Sequence, residues 1–293
     1  MTKKVVVFGC RGQLGVELVR VFGERKYEVT GYDRNAVDVS DAGKVESTLA
    51  RIDPALVINA AAYNQVDLAE KDPLAAYQGN AMAVCHLANA CRQVDAKLGH
   101  FSTDYVFDGT LGRAYTEEDA THPLGAYAVS KLAGELYAQA YLSNPLIIRT
   151  SGVFGPAGLH TNRGNFVEVM LRMGASGKPI RVVADHFASP AYAPELAVRT
   201  ADMVEANLSG VFHVGAGVPI SWFHFAKLIF ETFGMAPSLT PTDEREYRTQ
   251  AKRPKYSALS NGKMERLGIK PMPTMEEAVA AYKVARDKAV AAV

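Results

Sequence analysis

The sequence predicts an α/β fold in which helices cover both faces of a doubly wound parallel sheet. Short apolar runs alternate with longer amphipathic runs through the first half of the chain, and glycines cluster directly after the first apolar run. Strands buried on both faces read as continuous apolar runs, and parallel strands require crossover connections, usually helical. The 293 residues, 48% of them hydrophobic, suffice for one large domain or two closely packed lobes.

The predicted elements alternate regularly as far as residue 150. We expect strands at residues 4–8, 28–32, 56–59, 97–102 and 146–150, and helices at residues 14–22, 44–51, 73–94 and 127–141. Beyond them we expect a loop at 155–165, strands at 180–183 and 211–214, and helices at 166–173, 194–206, 222–233 and 275–293. We therefore divide the chain at residue 150. Residues 151–293 then form mainly a smaller C-terminal substrate-binding lobe, and the strand near 211–214 rejoins the main sheet.

Composition excludes several classes of function. The formal net charge is +1 with no basic stripe, so neither nucleic acid nor an anionic membrane is an expected partner. The three cysteines form no Cys-x-x-Cys pair, and the histidines form no cluster with metal-ligand spacing, so we expect no metal. No apolar run approaches the roughly 20 residues of a spanning helix, and the N-terminal run is too short for a signal peptide. We expect a cytoplasmic protein and leave a homodimer open.

A glycine-rich turn separates the first strand from the first helix. Gly9, Gly12 and Gly15 are spaced three apart there. Glycine at such a turn permits a tight bend, close approach of the backbone to a pyrophosphate and close packing of helix on strand. The amino end of the helix then offers free N–H groups to the phosphates. The position of this motif after the first strand predicts that residues 1–150 form an NAD(P)-binding Rossmann domain.

Residues after the second and third strands are further candidates for cofactor contacts. Asp33 is placed to hold the adenosine ribose hydroxyls of NAD, whereas Arg34 is placed to bind the 2′-phosphate of NADP, so both NADH and NADPH stay open. Asp38 could accept a hydrogen bond from the adenine amino group, and Ser40 or Asp41 could cap the next helix. The small residues 60–62 would let a flat ligand lie against the backbone, or would simply pack tightly.

Tyr127 and Lys131 lie four residues apart and therefore share one face of their predicted helix. A free tyrosine has a pKa of about 10. A nearby lysine, with an oxidised nicotinamide, would lower that pKa toward working pH, and the lysine would also hold the nicotinamide ribose. Thr103 follows the fourth strand and could bond the developing alkoxide. Asp104 could accept from a sugar hydroxyl. This order of motifs predicts reduction of a carbonyl.

Several longer motifs carry a family resemblance that spans nearly the whole chain. They are GCRGQLG at 9–15, NAAAYNQVDLAE at 59–70, STDYVFDG at 102–109, YAVSKLAGE at 127–135, RTSGVFG at 149–155, Asn165-Phe166, RVVADHFASPAY at 181–192, and Arg253-Pro254 with Ser257. With these motifs the chain resembles the dTDP-4-dehydrorhamnose reductases, which are extended short-chain dehydrogenases.

The resemblance implies reduction of dTDP-4-dehydro-L-rhamnose at C4 by NADH or NADPH. It implies a catalytic set of Thr103, Tyr127 and Lys131, and substrate contacts from Thr103, Asp104 and Asn165. The implied cofactor contacts, beside the motif glycines and the catalytic pair, are Gly12, Gln13, Leu14, Asp38, Val39, Ala61, Ala62 and Tyr63.

One position departs from the family pattern. Gly152 stands where the family usually has a tryptophan near the substrate, and loss of an indole would remove a large apolar wall. Either another residue fills the space, or the substrate is a different nucleotide-linked sugar for a reductase or epimerase. Trp222, the only tryptophan, lies outside that segment. A non-catalytic NADP-binding regulatory subunit is the alternative from another class, although the complete Thr103, Tyr127 and Lys131 set argues against it.

Overall fold

The structure is a computed structural model and describes residues 3–160 and 164–291. Its strands are β1 Lys4–Phe8, β2 Glu28–Tyr32, β3 Leu56–Asn59, β4 Lys97–Thr103, β5 Leu146–Thr150, β6 Ile180–Val183, β7 Phe187–Ala188, β8 Gly210–His213, β9 Ile220–Ser221 and β10 Leu239–Thr242. Its α-helices are α1 Gln13–Glu24, α2 Ala42–Ile52, α3 Val66–Ala69, α4 Pro73–Tyr77, α5 Ala83–Gln93, α6 Ala126–Tyr141, α7 Phe166–Ala175, α8 Ala193–Glu205, α9 Trp222–Thr232, α10 Gly262–Arg266 and α11 Met275–Ala291.

Six parallel strands form the main sheet in the order β2-β1-β3-β4-β5-β8. The chain proceeds from β1 to β2 in one direction and from β1 through β3 in the other, so the topological switch point lies between β1 and β3. Ligands of open α/β sheets bind at the carboxyl ends of the strands at such a point. The predicted Rossmann-type α/β fold is confirmed.

Alternate residues of the strands enter two separate apolar layers. Val5 and Val7 face one side, where α1 and α8 pack, and Val6 and Phe8 face the other side, where α2, α5 and α6 pack. This follows from the two-residue side-chain period of a strand. The sheet is therefore covered on both faces, which accounts for the continuous apolar runs in the sequence.

A second lobe lies beyond the carboxyl ends of the strands and has its own aromatic core. Phe154, Phe225 and Tyr282 meet there, with ring centroids 5.4 Å apart for Phe154–Phe225 and 5.9 Å for Phe154–Tyr282. The lobe consists of α7, α9, α11, the parallel pair β6–β10 and the short antiparallel pair β7–β9. Because α8 and β8 belong to the main sheet, the segments of the two lobes are interleaved after β5.

The predicted helix at 73–94 is wrong in one respect. Residues Gln78–Met82 form a turn of π-helix between α4 and α5. Such a turn takes up one extra residue and often lies at a functional site. The predicted loop at 155–165 contains a 3₁₀ turn, Pro156–His160, while residues 161–163, and residues 292–293 of the last predicted helix, lie outside the described residues. Within the described ranges, no helix is both long and apolar enough to cross a membrane.

Candidate active site

At Gly9 and Gly15 the glycine turn packs against its surroundings too closely for a side chain. Gly9 has φ +77°, and a Cβ there would lie 2.6 Å from the backbone nitrogen of Ala61. A Cβ on Gly15 would lie 2.1 Å from the carbonyl oxygen of Gly9, so α1 meets the turn backbone to backbone. Gly12 is the exposed N-cap of α1, and no side chain caps that helix end. The free N–H groups and the bare backbone fit a dinucleotide pyrophosphate.

Two arginines stand at the end of β2, where the adenosine ribose of a dinucleotide would lie. Asp33 is paired with Arg11, at 2.9 Å between Oδ2 and Nε, and Arg34 is paired with Asp38 at 3.0 Å. Both guanidinium groups are more than four-fifths exposed. Arg11 was not predicted, because its partner lies across the sheet edge. The only sequence signal for it is a cation within the glycine turn. Arg11 and Arg34 together offer two cations to a 2′-phosphate, and the Asp33 carboxylate could accept hydrogen bonds from ribose hydroxyls.

Asp38 also receives hydrogen bonds from Ser40, one from its backbone nitrogen at 2.9 Å and one from its hydroxyl at 2.7 Å. These bonds and the Arg34 ion pair outweigh desolvation and hold the pKa of Asp38 below its ordinary value. The helix cap at the start of α2 comes instead from Asp41, which accepts from the backbone nitrogen of Lys44. Val39 is half-buried on the layer beneath α2 and α5.

The loop after β3 is held by Asn80, which lies in the π-helical turn and is buried. Its amide oxygen accepts from the backbone nitrogen of Tyr63 at 2.9 Å, and its nitrogen donates to the Tyr63 carbonyl at 2.8 Å and to the Ser130 hydroxyl at 2.9 Å. One side chain thus fixes the loop of Ala61, Ala62 and Tyr63 against α6. We did not predict this role, although an asparagine within an alanine-rich helix is an unfavourable choice that could have indicated it.

Thr103 and Tyr127 face each other at the carboxyl end of β4. The Thr103 hydroxyl accepts from the backbone nitrogen of Tyr105 at 3.2 Å, and it lies near enough to the Tyr127 phenol to affect its pKa. Burial raises the pKa of Tyr127, an effect that the contact with Thr103 opposes and the nearby Asp104 reinforces. We had expected a lowered pKa. The protein groups alone do not produce it, because Lys131 is not among the groups that shift the phenol.

Lys131 is buried one helical turn further along α6. Its ammonium donates to the Phe101 carbonyl at 2.6 Å. Burial lowers the pKa of Lys131 to about 8, and Glu135, another turn on, partly opposes this. The ammonium is therefore mostly charged at neutral pH and loses its proton near pH 8. Glu135 in turn binds Arg149 of β5, at 2.7 Å between Oε2 and Nη2, and accepts from the Ser102 hydroxyl.

Asp104 lies inside the protein, surrounded by three hydroxyl groups. Thr103 donates to Oδ1 at 3.2 Å, and Ser151 and Ser257 donate to Oδ2 at 2.8 Å and 2.5 Å. Burial raises the pKa of Asp104 to about 6, and the hydroxyls oppose that shift. These three partners join β4, the end of β5 and the segment before α10. Both carboxylate oxygens are engaged by protein groups.

Asn165 is the N-cap of α7 and connects the two lobes. Its oxygen accepts from the backbone nitrogen of Glu168, and its nitrogen donates to Gln13 Oε1 at 2.9 Å and to the Gly155 carbonyl at 3.1 Å. Gln13 opens α1, next to the glycine turn, and Leu14 packs into the core below it. Asn165 therefore reaches the predicted cofactor end of the cleft.

A further link between distant segments joins Arg253 to Asp67 at 2.7 Å, which fixes the C-terminal segment beside Tyr105.

A Rossmann sheet with a bare glycine turn, and a threonine and tyrosine meeting at the end of its fourth strand, defines an NAD(P)-dependent oxidoreductase of the extended short-chain type. Comparison with known proteins then gives the family. The profile of the RmlD substrate binding domain family matches residues 3–286, and the chain belongs to that family.

Three relatives show how far the similarity extends. A dTDP-4-dehydrorhamnose reductase of Burkholderia thailandensis is 37% identical over 288 residues, which is 91% of this chain and 93% of the relative. The spore coat polysaccharide biosynthesis protein SpsK of Bacillus subtilis is 34% identical over 268 residues, covering 92% and 93%. The crystal structure of a Bacillus anthracis dTDP-4-dehydrorhamnose reductase in complex with NADP is 34% identical, covers 97% of this chain and 99% of that chain, and superposes with a TM-score of 0.91.

Proposed function

We propose that the chain reduces the 4-keto group of dTDP-4-dehydro-L-rhamnose to give dTDP-L-rhamnose, with NADPH or NADH as cofactor and Tyr127 as the proton donor. The observation that carries the proposal is that buried Thr103 at the carboxyl end of β4 and Tyr127 of α6 lie together, with the Tyr127 ring 6.3 Å from that of Tyr105 and its pKa affected by Thr103. The names of relatives that match at 33–37% identity over about nine-tenths of the chain support the sugar.

The raised pKa of Tyr127 suits the reductive direction. A phenol whose pKa lies above its ordinary value stays protonated at neutral pH, so it holds a proton ready for the substrate oxygen. As negative charge develops on that oxygen, Tyr127 transfers its proton and Thr103 stabilises the charge by hydrogen bonding. When bound, the nicotinamide cofactor supplies the hydride.

The other predicted residues act on binding and charge. In this proposal Lys131 is charged below about pH 8 and its ammonium hydrogen-bonds to the nicotinamide ribose. The glycine turn and the amino end of α1 bind the pyrophosphate, and Arg11 joins Arg34 in binding a 2′-phosphate. The substrate contact of Asn165, the cytoplasmic location and the homodimer stay predictions.

The test is a spectrophotometric assay of reduced nicotinamide with dTDP-4-dehydro-L-rhamnose, run with NADPH and NADH in parallel. We expect Tyr127→Phe to lower kcat by about 100- to 10,000-fold, the usual contribution of a general acid. Cofactor binding should be retained. Tyr137→Phe is the matched control, because Tyr137 lies on the same helix and its hydroxyl only approaches that of Tyr77, at 3.4 Å.

Wild-type protein that binds the cofactor but leaves this sugar unreduced would refute the proposed substrate. In that case a regulatory subunit or another nucleotide sugar would explain the chain better. Full activity of Tyr127→Phe would refute the proton-donor role and leave the substrate assignment intact.

A further inference from the structure

Gly152 is an exposed residue just beyond the carboxyl end of β5, and the indole of a tryptophan from another part of the chain lies beside it. Gly152 is exposed and has φ +46°. A Cβ at this position would lie 3.0 Å from Cη2 of Trp222 and 3.3 Å from Cβ of Pro190. The far edge of the Trp222 indole therefore occupies the space that a side chain at position 152 would need.

Trp222 is held from the side of the second lobe. It is the first residue of α9, and its backbone nitrogen donates to the carbonyl of His186 at 3.2 Å. Its ring lies 4.7 Å from that of Phe166 and 6.2 Å from that of Phe225, measured between centroids. The indole is only partly buried. It thus extends from the aromatic core of the lobe to the edge of the main sheet, across the cleft between them.

This indole edge lies beside the residues that we assign to catalysis. Thr150 pairs with Thr103 in the sheet, and Ser151 donates to Asp104 at 2.8 Å. Gly152 follows Ser151 directly. Adjacent strands are about 4.8 Å apart, and two residues span at most about 7 Å. The Cα of Gly152 therefore lies within roughly 12 Å of the Cα of Thr103, close enough for one bound nucleotide sugar to contact both the indole edge and Thr103.

We propose that Trp222 is a specificity-determining residue, whose indole forms an apolar wall against the sugar of the nucleotide-sugar substrate on the face that carries the C5 substituent. The inference rests on the proposed function. Gly152 and Pro190 add no polar side-chain group beside the indole. A methyl group at C5 packs against such a wall, whereas a hydroxymethyl group would place a polar hydroxyl against apolar surface and lose part of its hydration. The wall therefore favours 6-deoxy sugars.

The chain's only tryptophan makes binding at this wall directly observable. Tyr127→Phe protein, which binds without turnover, is titrated with dTDP-4-dehydro-L-rhamnose, and with dTDP alone as the control for the nucleotide. We expect a change in indole fluorescence that requires the sugar. An equal response to dTDP alone, or no response to either at concentrations where calorimetry shows binding, would overturn the inference.

Kinetics of substituted proteins test the specificity itself. In Trp222→Phe and Trp222→Ala we expect KM for the 6-deoxy sugar to rise by about 10- to 100-fold with a smaller change in kcat. The ratio of kcat/KM for the 6-deoxy sugar to kcat/KM for the corresponding 6-hydroxy sugar should fall by about 10-fold, as is usual for one small group in a pocket. Phe223→Ala is the control, because Phe223 is the next aromatic residue of α9 and contacts His224. Unchanged KM and unchanged preference in both Trp222 variants would overturn the inference.

Gly152→Ala adds an independent arm. The new Cβ strains the backbone at φ +46° and also presses on the indole, so KM should rise more in protein that keeps Trp222 than in Trp222→Ala. Equal increases in the two backgrounds would contradict the contact. Failure of the proposed function is distinguishable, since it shows as no turnover by the wild-type protein. The same fluorescence titration with other 4-keto nucleotide sugars then tests the wall by itself, and the absence of any sugar-dependent response overturns it.

Discussion

Glu135→Gln tests the buried ion pair beneath the active site. Glu135 is completely buried and Arg149 is 6% exposed, and the two groups make three hydrogen bonds of 2.7–3.2 Å. The Ser102 hydroxyl also donates to Glu135, and the Arg149 guanidinium lies 5.3 Å from the centre of the Phe107 ring. The substitution keeps the shape of the side chain, removes its charge and leaves the guanidinium buried without a counter-ion.

Removing one partner of a buried ion pair costs about 3–5 kcal/mol in the free energy of unfolding. We expect Glu135→Gln to fall in this range, which corresponds to a factor of roughly 100 to 4,000 in the folding equilibrium constant. Urea unfolding followed by the fluorescence of Trp222 measures the change. Glu46→Gln is the control, because Glu46 is exposed on α2 and should change stability by less than about 0.5 kcal/mol.

A double variant distinguishes the cost of an unpaired buried charge from the contribution of the ion pair as a whole. Replacement of both residues by apolar ones, Glu135→Leu with Arg149→Met, leaves no unpaired charge and should recover most of the lost stability. A loss below about 1 kcal/mol for Glu135→Gln would refute the reasoning, since it falls well short of the usual cost of a stranded buried charge. A double variant as unstable as the single one would show that packing, rather than charge, dominates at this position.

Two further predictions concern charge at the site. Because burial lowers the pKa of Lys131 to about 8, the ammonium is lost as pH rises through that value, so kcat/KM should fall on the alkaline side near pH 8. Lys131→Arg keeps its charge, and an unchanged alkaline limb in that variant would assign the limb to another group. Arg34→Ala should raise KM for NADPH by about 10- to 100-fold, the value of one hydrogen bond to a charged group. The same substitution should leave KM for NADH nearly unchanged. Initial-rate assays with both cofactors measure this, and an equal rise of KM for NADPH and for NADH would contradict the role of Arg34 in binding the 2′-phosphate.

The main sheet could be predicted from the sequence because its strands are buried on both faces. Continuous apolar runs such as residues 4–8 and 56–59 have few other interpretations when glycines, prolines and amphipathic runs separate them. The π-helical turn at Gln78–Met82 could not be predicted, since one extra residue hardly changes an alanine-rich helical pattern. The strands β7 and β9 were missed because two-residue strands carry no periodicity, and β10 was missed because it contains a proline, which argues against a strand.

Some residues of the candidate site could be predicted from local sequence patterns, whereas others depend on contacts between distant segments. Tyr127 and Lys131 share a helix, and Thr103 follows a strand, so local patterns were enough to nominate them. Three other features of the site join distant segments. Arg11 pairs with Asp33, hydroxyl groups from other segments surround Asp104, and the indole of Trp222 lies beside Gly152. Such contacts depend on how the lobes pack, and no short sequence pattern records them. Asp104 was predicted to accept a hydrogen bond from a sugar hydroxyl, but in the structure its carboxylate already accepts hydrogen bonds from protein hydroxyl groups.

The late position of β8 in the chain affects how the protein can be made. During synthesis β5 emerges long before its neighbour β8, and until then its outer edge carries unpaired backbone groups beside the apolar residues Leu146–Ile148. The face of α1 that α8 will cover is bare over the same interval. Exposed strand edges recruit other chains. A ribosome-bound intermediate of this protein is therefore open to association with other chains through this edge until the sixth strand docks.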